Sequence, residues 1–267
     1  MFDAVQHQRS HGSASVAFAR GRLTGLRQQG SAKAMLPRTH RATPEIVFLN
    51  TSGGLTSGDR LDYAVTLGDG MRAQATTQTA ERAYRADGPA AEARVRLRLG
   101  RGAALDWLPQ ETILFQGAAL DRVTEVDLQA DARFMGIETI VLGRAAMGEV
   151  VSHATLHDRR IIRRDGRTLL VDPMRLDADA LARGAGSALW NGARAASVLM
   201  LVGQGAEAAL DPVRAALNEE GVHAAASARD GQLVVRAMAG DSWPLRRQMI
   251  RLIEVLRPGA LPRVWQG

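Results

Sequence analysis

Residues 93–99 read ARVRLRL, and the fold class turns on that run. Its alternation is strict: Val95, Leu97 and Leu99 face one way, Arg94, Arg96 and Arg98 the other. A side-chain period of two belongs to a strand with one buried face, because a helix would scatter the same residues around its axis. Similar short runs occupy 45–49, 61–67, 71–79, 111–115 and 120–128. Gly68-Asp69-Gly70, Asp87-Gly88-Pro89, Gly100-Arg101-Gly102 and Gly117 punctuate them as turns. Arg159 to Val171 reads as a hairpin around Asp165-Gly166, and Ala224–Arg229 with Leu233–Ala237 as a second around Asp230-Gly231.

Two segments carry the helical period instead. Asp211 reads as an N-cap, Pro212 as the first helical residue and Gly221 as the stop. Leu245, Met249, Leu252, Ile253 and Leu256 fall on one helical face. Ser242 and Pro244 stand near the start of that helix, and Pro258-Gly259 ends it. The chain thus divides into a mostly β part over 1–180 and a smaller α/β portion over 187–267, with Ala178–Gly186 as the joint. No internal repeat is visible.

Composition narrows the function. Of 267 residues 46% are hydrophobic and 23% charged, which suits a buried core and excludes collagen-like or disordered chains. The absence of cysteine removes disulfides, iron–sulfur clusters, thiolate nucleophiles and all-thiolate zinc sites. No window supplies the roughly 20 apolar residues of a membrane span. Met1 to Ser10 lacks the apolar stretch of a secretory signal, so a cytoplasmic location away from membranes is expected.

Charge is unevenly placed. Residues 1–41 hold Arg9, Arg20, Arg22, Arg27, Lys33, Arg38 and Arg41 against the single acid Asp3, and so carry the whole net charge of +6. Such a segment suits nucleic acid, an anionic surface or an acidic protein, or it reflects arginines on solvated strand faces. Aromatics are only 4% and none interleave with these arginines, which disfavours nucleic acid.

Motif by motif, catalysis finds little support. The run NTSGGLTSGD (50–59) resembles a phosphate cradle, but Gly58 is followed by Asp59 where a P-loop needs lysine. It reads as a tight turn, or as a turn presenting Asp59 to a cation or partner. Glu149, His153 and His157 stand four apart, and on a strand that spacing is about 13 Å, too far to share one ion. Asp106, Glu111, Glu138 and Asp172 offer carboxylates without a pairing, and no G-x-S-x-G or H-E-x-x-H motif occurs. Trp107 reads as core. No catalytic residue and no fixed metal site is expected.

The blocks NTSGGLTSGDRLD (50–62), TTQTAERAYRA (76–86), GAALDWLPQETILFQGA (102–118), ETIVLGRAAMGE (138–149) and LPRVWQG (261–267) resemble, in order, the UreD family of urease accessory proteins, called UreH in some organisms. The resemblance spans Gly21 to the C-terminus. It implies one non-catalytic domain, mainly β, an irregular β-helix-like stack of short strands with a few helices in the C-terminal part. It further implies a complex with UreF and UreG on apo-urease and the insertion of nickel(II), bound transiently and never as a permanent cofactor. Matched to the family's motifs, the nickel-path candidates are Asp59, Glu138, Glu149, His153 and Asp172. His157 has no counterpart. Ser57 departs from a Gly-Gly pair and should have a backbone open to other residues; Ala86 replaces a frequent serine, so no polar role transfers there. Nickel(II) accepts oxygen and imidazole donors, and a conduit must hold its cargo loosely. Arg263 and Trp265 are candidate partner contacts, with packing of Trp265 into its own fold as the other reading. Two further readings stay open: a metal-dependent hydrolase using Glu149 and His153, and a basic binding module formed by residues 1–41.

Overall fold

The computed structural model describes residues 9–39, 41–186, 189–257 and 259–266. Asp3, Pro258 and Gly267, which figure in the readings above, lie outside the described residues. In chain order the first strands are β1 (His11–Ala19), β2 (Arg22–Gly30), β3 (Ala32–Met35), β4 (Glu45–Asn50), β5 (Arg60–Leu67) and β6 (Arg72–Thr77). Next come β7 (Glu81–Ala83), β8 (Ala91–Leu99), β9 (Ala104–Leu108), β10 (Thr112–Leu114), β11 (Ala119–Leu128) and β12 (Arg133–Leu142). The series ends with β13 (Thr155–Arg164), β14 (Arg167–Leu176), β15 (Ala195–Val202), β16 (Val222–Arg229) and β17 (Gln232–Ala239). Three helices, α1 (Ala178–Ala182), α2 (Leu210–Ala215) and α3 (Ser242–Leu256), lie in the last third.

The chain passes back and forth between two sheets. One runs β14-β13-β11-β8-β5-β1-β2, and the other runs β16-β17-β15-β12-β9-β6-β4-β3. Within each, the central neighbours are parallel, as in β5 with β8 and β6 with β9. Parallel neighbours in one sheet need a crossover; here each crossover passes through the opposite sheet, so the chain winds as a flattened coil. This is the β-helix-like stack that the family resemblance implies, with its helices in the C-terminal part.

Alternation builds the core. Val16, Val65, Leu97, Val126 and Ile162 stand opposite one another across five strands and are all buried. The corners are stitched by aspartates. Asp69 accepts from the Arg101 N–H at 2.9 Å, Asp131 from Gly102 at 2.8 Å and Asp165 from Ala130 at 3.0 Å. A structural repeat therefore exists where the sequence shows none, because the coil asks only for inward apolar side chains and turn-forming corners.

The helices need adjustment. Helix α3 buries all five residues of the expected face, but its cap is Asp241, whose carboxylate accepts from the Trp243 N–H at 2.7 Å. Asp211 is no cap: a 3-10 turn, Ala206–Ala209, runs directly into α2 and leaves Asp211 inside the first turn. The Ala178–Gly186 joint begins as α1, capped by Asp177 accepting from the Ala180 N–H at 2.9 Å.

Candidate functional site

The four central blocks of the resemblance lie on successive layers at one side of the coil. Leu55 bridges Ala83, Ala83 stands opposite Leu114, and Leu114 opposite Leu142, all in parallel register. Above this ladder Tyr84 meets Phe115 edge-on at 5.0 Å, and the Arg144 guanidinium covers the Phe115 ring at 4.6 Å. Gly54 keeps a positive φ of 154°, and a Cβ there would lie 2.3 Å from the Tyr84 ring. Only glycine lets the turn approach so closely.

The Asp59 turn is closed inward. Asp59 is buried and accepts from the Ser10 N–H at 2.7 Å and the Thr56 N–H at 2.9 Å, so its carboxylate organises the turn rather than facing solvent. Ser57 is buried without a positive φ, and its hydroxyl accepts from the Asp87 and Gly88 N–H groups at 2.6 and 3.0 Å. Of the Ser57-Gly58 pair only Gly58 needs a left-handed backbone, with φ of 71°.

Glu149 and His153 do not converge. Both precede β13, in the loop after β12, and only His157 sits on a strand, 2.9 Å from Asp121. Glu149 accepts from Arg144 N and Nε at 3.1 and 2.9 Å and from the Gln116 N–H at 3.1 Å. Partial burial works against its charge, but these donors prevail and hold the carboxyl below the usual range. His153 is exposed, and its N–H donates to Gln116 Oε1 at 3.1 Å. Among the described residues no group of three or more His, Asp or Glu is placed to share an ion.

Glu138 and Asp172 belong to one buried chain of alternating charge. Glu138 on β12 lies 2.9 Å from Arg122 Nη1 and also accepts from Trp107 Nε1 at 3.2 Å and Thr124 Oγ1 at 3.1 Å. Arg122 holds Asp158 at 2.7 Å, Asp158 lies 3.3 Å from Arg160, and Arg160 Nε lies 3.1 Å from Asp172. Asp172 ends the chain against Arg236 on β17. Three acids meet three arginines, so the seam is neutral overall. Burial opposes the charges of Arg122 and Asp158, yet each raises or lowers the other's pKa toward the ionised form, Arg122 up and Asp158 down.

The seam joins two spaces. At one end Arg122 and Glu138 line a small pocket of about 50 Å³, shared with Tyr63, Glu81 and Gln110. At the other end Arg160, Asp172 and Arg236 form the polar floor of a groove of about 460 Å³ walled by Met174, Trp190 and Met238. Burial pushes the Glu81 carboxyl up to about 7, against bonds from Asn50 Nδ2 at 3.3 Å and its neighbour's N–H.

The strand pattern carried a signal for this seam. Arg122 and Thr124 share the inward phase of Leu120, Val126 and Leu128, so polar side chains stand in a row of core positions. Arg160, next to Ile162 by the same phase, repeats it. Asp158 shares that phase with Leu156 and Arg160, whereas Arg236, exposed on its strand, is legible only once strands are set side by side. Asp106 and Glu111 stay outside, paired with Arg257 at 3.1 Å and Arg246 at 3.7 Å. Trp107 is core, as its setting in LDWLP suggests.

At the tail, Trp265 is buried: its indole N–H donates to the Leu108 carbonyl at 2.9 Å and Arg246 stacks on the ring at 4.6 Å. Of its two readings, packing into its own fold is the observed one, while Arg263 is exposed. No helix among the described residues is long and apolar enough to cross a membrane.

Residues 10–266 match the family described as UreD urease accessory protein. Urease accessory proteins UreD of Cereibacter sphaeroides (strain ATCC 17025) and Paracoccus denitrificans are 58% and 54% identical. These alignments cover 97% and 100% of the chain and 96% of each relative. That of a Jannaschia species is 48% identical over the full length of both. The chain therefore belongs to the UreD family of urease accessory proteins, with an auxiliary rather than a catalytic part in urease maturation.

Proposed function

We propose that the chain joins UreF and UreG on apo-urease, in the cytoplasm, and hands nickel(II) toward the urease active site. The observation that carries the transfer reading is the buried seam from the small pocket at Glu138 to the groove at Asp172. Its carboxylates are neutralised by arginines, so the resting protein holds them in its interior without metal. A passing dication competes with a guanidinium for the same oxygens, and two or three oxygen donors at a time grip nickel(II) only loosely. Glu138 and Asp172 are the transfer residues in this reading. Asp59 and Glu149, already engaged by backbone N–H groups, shape the loop side of the coil, where exposed His153 offers a first imidazole.

One domain over 1–267 suits this role, since the two sheets share the seam. Exposed Arg263 is retained as a partner contact. The test is nickel incorporation into apo-urease in a reconstituted mixture, comparing wild type with Glu138→Gln and Asp172→Asn. Loss of loading with complex formation intact supports transfer through the seam; wild-type loading in both removes it.

A further inference from the structure

Sheet edges in this protein are guarded unequally. Strand β14 carries Pro173 in its middle, which cannot donate to a neighbour. Beside β16 lies α2, whose Arg214 donates to the Ala226 carbonyl at 3.2 Å. Strand β3 is only four residues long. Strand β2 has none of these protections. It spans nine residues without proline and, among the described residues, ends its sheet and pairs only with β1. Eight of its nine residues are exposed, so neither face is covered by the described residues. Among the described residues no strand meets its outer edge.

The segment that forms this edge carries charge of one sign. Residues 9–41 contain seven bases and no acid. Arg20, Arg22 and Arg27 are exposed, and none of them, nor Lys33 or Arg38, forms an ion pair with a described carboxylate. Leu23, Leu26 and Met35 add exposed apolar area, at 41%, 42% and 58%. Isolated bases on an edge strand ordinarily discourage pairing. Here they would repel a second copy of the same strand while attracting an acidic one.

We infer that β2 is a docking edge for an acidic, extended segment of a partner protein, which adds to the sheet as a further strand. Backbone N–H and C=O groups of β2 would supply affinity, and Arg20, Arg22 and Arg27 the choice of an acidic sequence. The open ladder of backbone groups favours a peptide over nucleic acid, whose phosphates would use the charge but not the ladder. This names the chemistry of one partner and rests on the assembly reading above. It is measured without nickel, so its failure would leave the transfer reading standing.

The experiment titrates the full chain with three fluorescent probes: a peptide of about nine residues alternating Glu and Val, its Glu–Pro counterpart of equal charge, and an oligothymidylate. Expected are binding of the Glu–Val peptide at least about tenfold tighter than of the other two, slowed amide exchange across 22–30, and at least about tenfold weakening in R22E/R27E. Equal binding of the Glu–Pro peptide would reduce the site to charge attraction and overturn strand addition. Tighter binding of the oligothymidylate would assign the edge to nucleic acid instead. Unchanged affinity in R22E/R27E, or no protection of 22–30, would likewise sink the proposal.

Discussion

Arg122 on β11 and Asp158 on β13 stand directly opposite in a parallel ladder and close a two-point ion pair, Nε to Oδ1 at 3.0 Å and Nη2 to Oδ2 at 2.7 Å. Both are buried, so each depends on the other for its charge. Removing one partner leaves an uncompensated ion in the core, which costs about 3–5 kcal/mol. Asp158→Ala should lower the urea midpoint accordingly. A triple R122M/D158L/E138Q variant, which removes the stranded charges together, should be more stable than Asp158→Ala. A single variant as stable as wild type would show that the pair contributes nothing.

Glu81 gives the fold an unusual pH response. Its carboxyl is raised to about 7 by burial, so the folded state holds the proton more tightly than the unfolded chain. Stability from this group is therefore greatest below the ordinary carboxylate range and declines as pH rises toward 7. One pKa unit corresponds to about 1.4 kcal/mol, and the remaining solvent contact of Glu81 brings the decline to roughly 1–2 kcal/mol. In Glu81→Gln the decline should be missing from melting curves recorded between about pH 4.5 and 7. Parallel curves for the two proteins would contradict the assignment.

Gly54→Ala should loosen the loop stack. The new methyl would collide with the Tyr84 ring and lie 2.7 Å from the Arg82 carbonyl, at a backbone angle that side chains avoid. Tyr84 must swing away from Phe115, at a cost of about 1–3 kcal/mol. Faster amide exchange at Leu55 and Tyr84 would report it, since their N–H groups close this stack. Exchange rates equal to wild type would place the strain elsewhere.

Trp265→Ala should act through stability. Its loss removes a buried indole, its bond to Leu108 and its stacking with Arg246, together about 3–5 kcal/mol. Arg263→Ala, at an exposed position, should leave the melting temperature within about 2 °C of wild type. Should Trp265→Ala melt like wild type and fail only in complex formation, the partner-anchor reading of Trp265 would return.

Much of the architecture was legible because a two-sheet coil writes itself as short alternating runs, and ARVRLRL is β8 almost residue for residue. Hairpin β13–β14 and the buried face of α3 followed from equally local chemistry. The winding was hidden, since no local rule says that neighbours in a sheet lie a full turn apart in the chain. The same limit applied to the seam. Glu138 and Asp172 stood out from motifs and Asp158 from its inward phase on β13, whereas Arg236 acquires a role only through cross-strand placement. Asp59 left two readings open for a local reason: an acid ending a glycine-rich turn can satisfy its own backbone, as it does here, as readily as it can face a cation.

Nickel bound per urease active site, measured by plasma mass spectrometry after maturation with a folded E138Q/D172N double variant, bears most directly on the transfer of metal through this protein. Loading below about half that of wild type, with complex assembly unchanged on size exclusion, is the predicted result, because the path would have lost two of its three carboxylates, one at each end. Full loading by that variant would contradict it and confine the protein to holding its partners together.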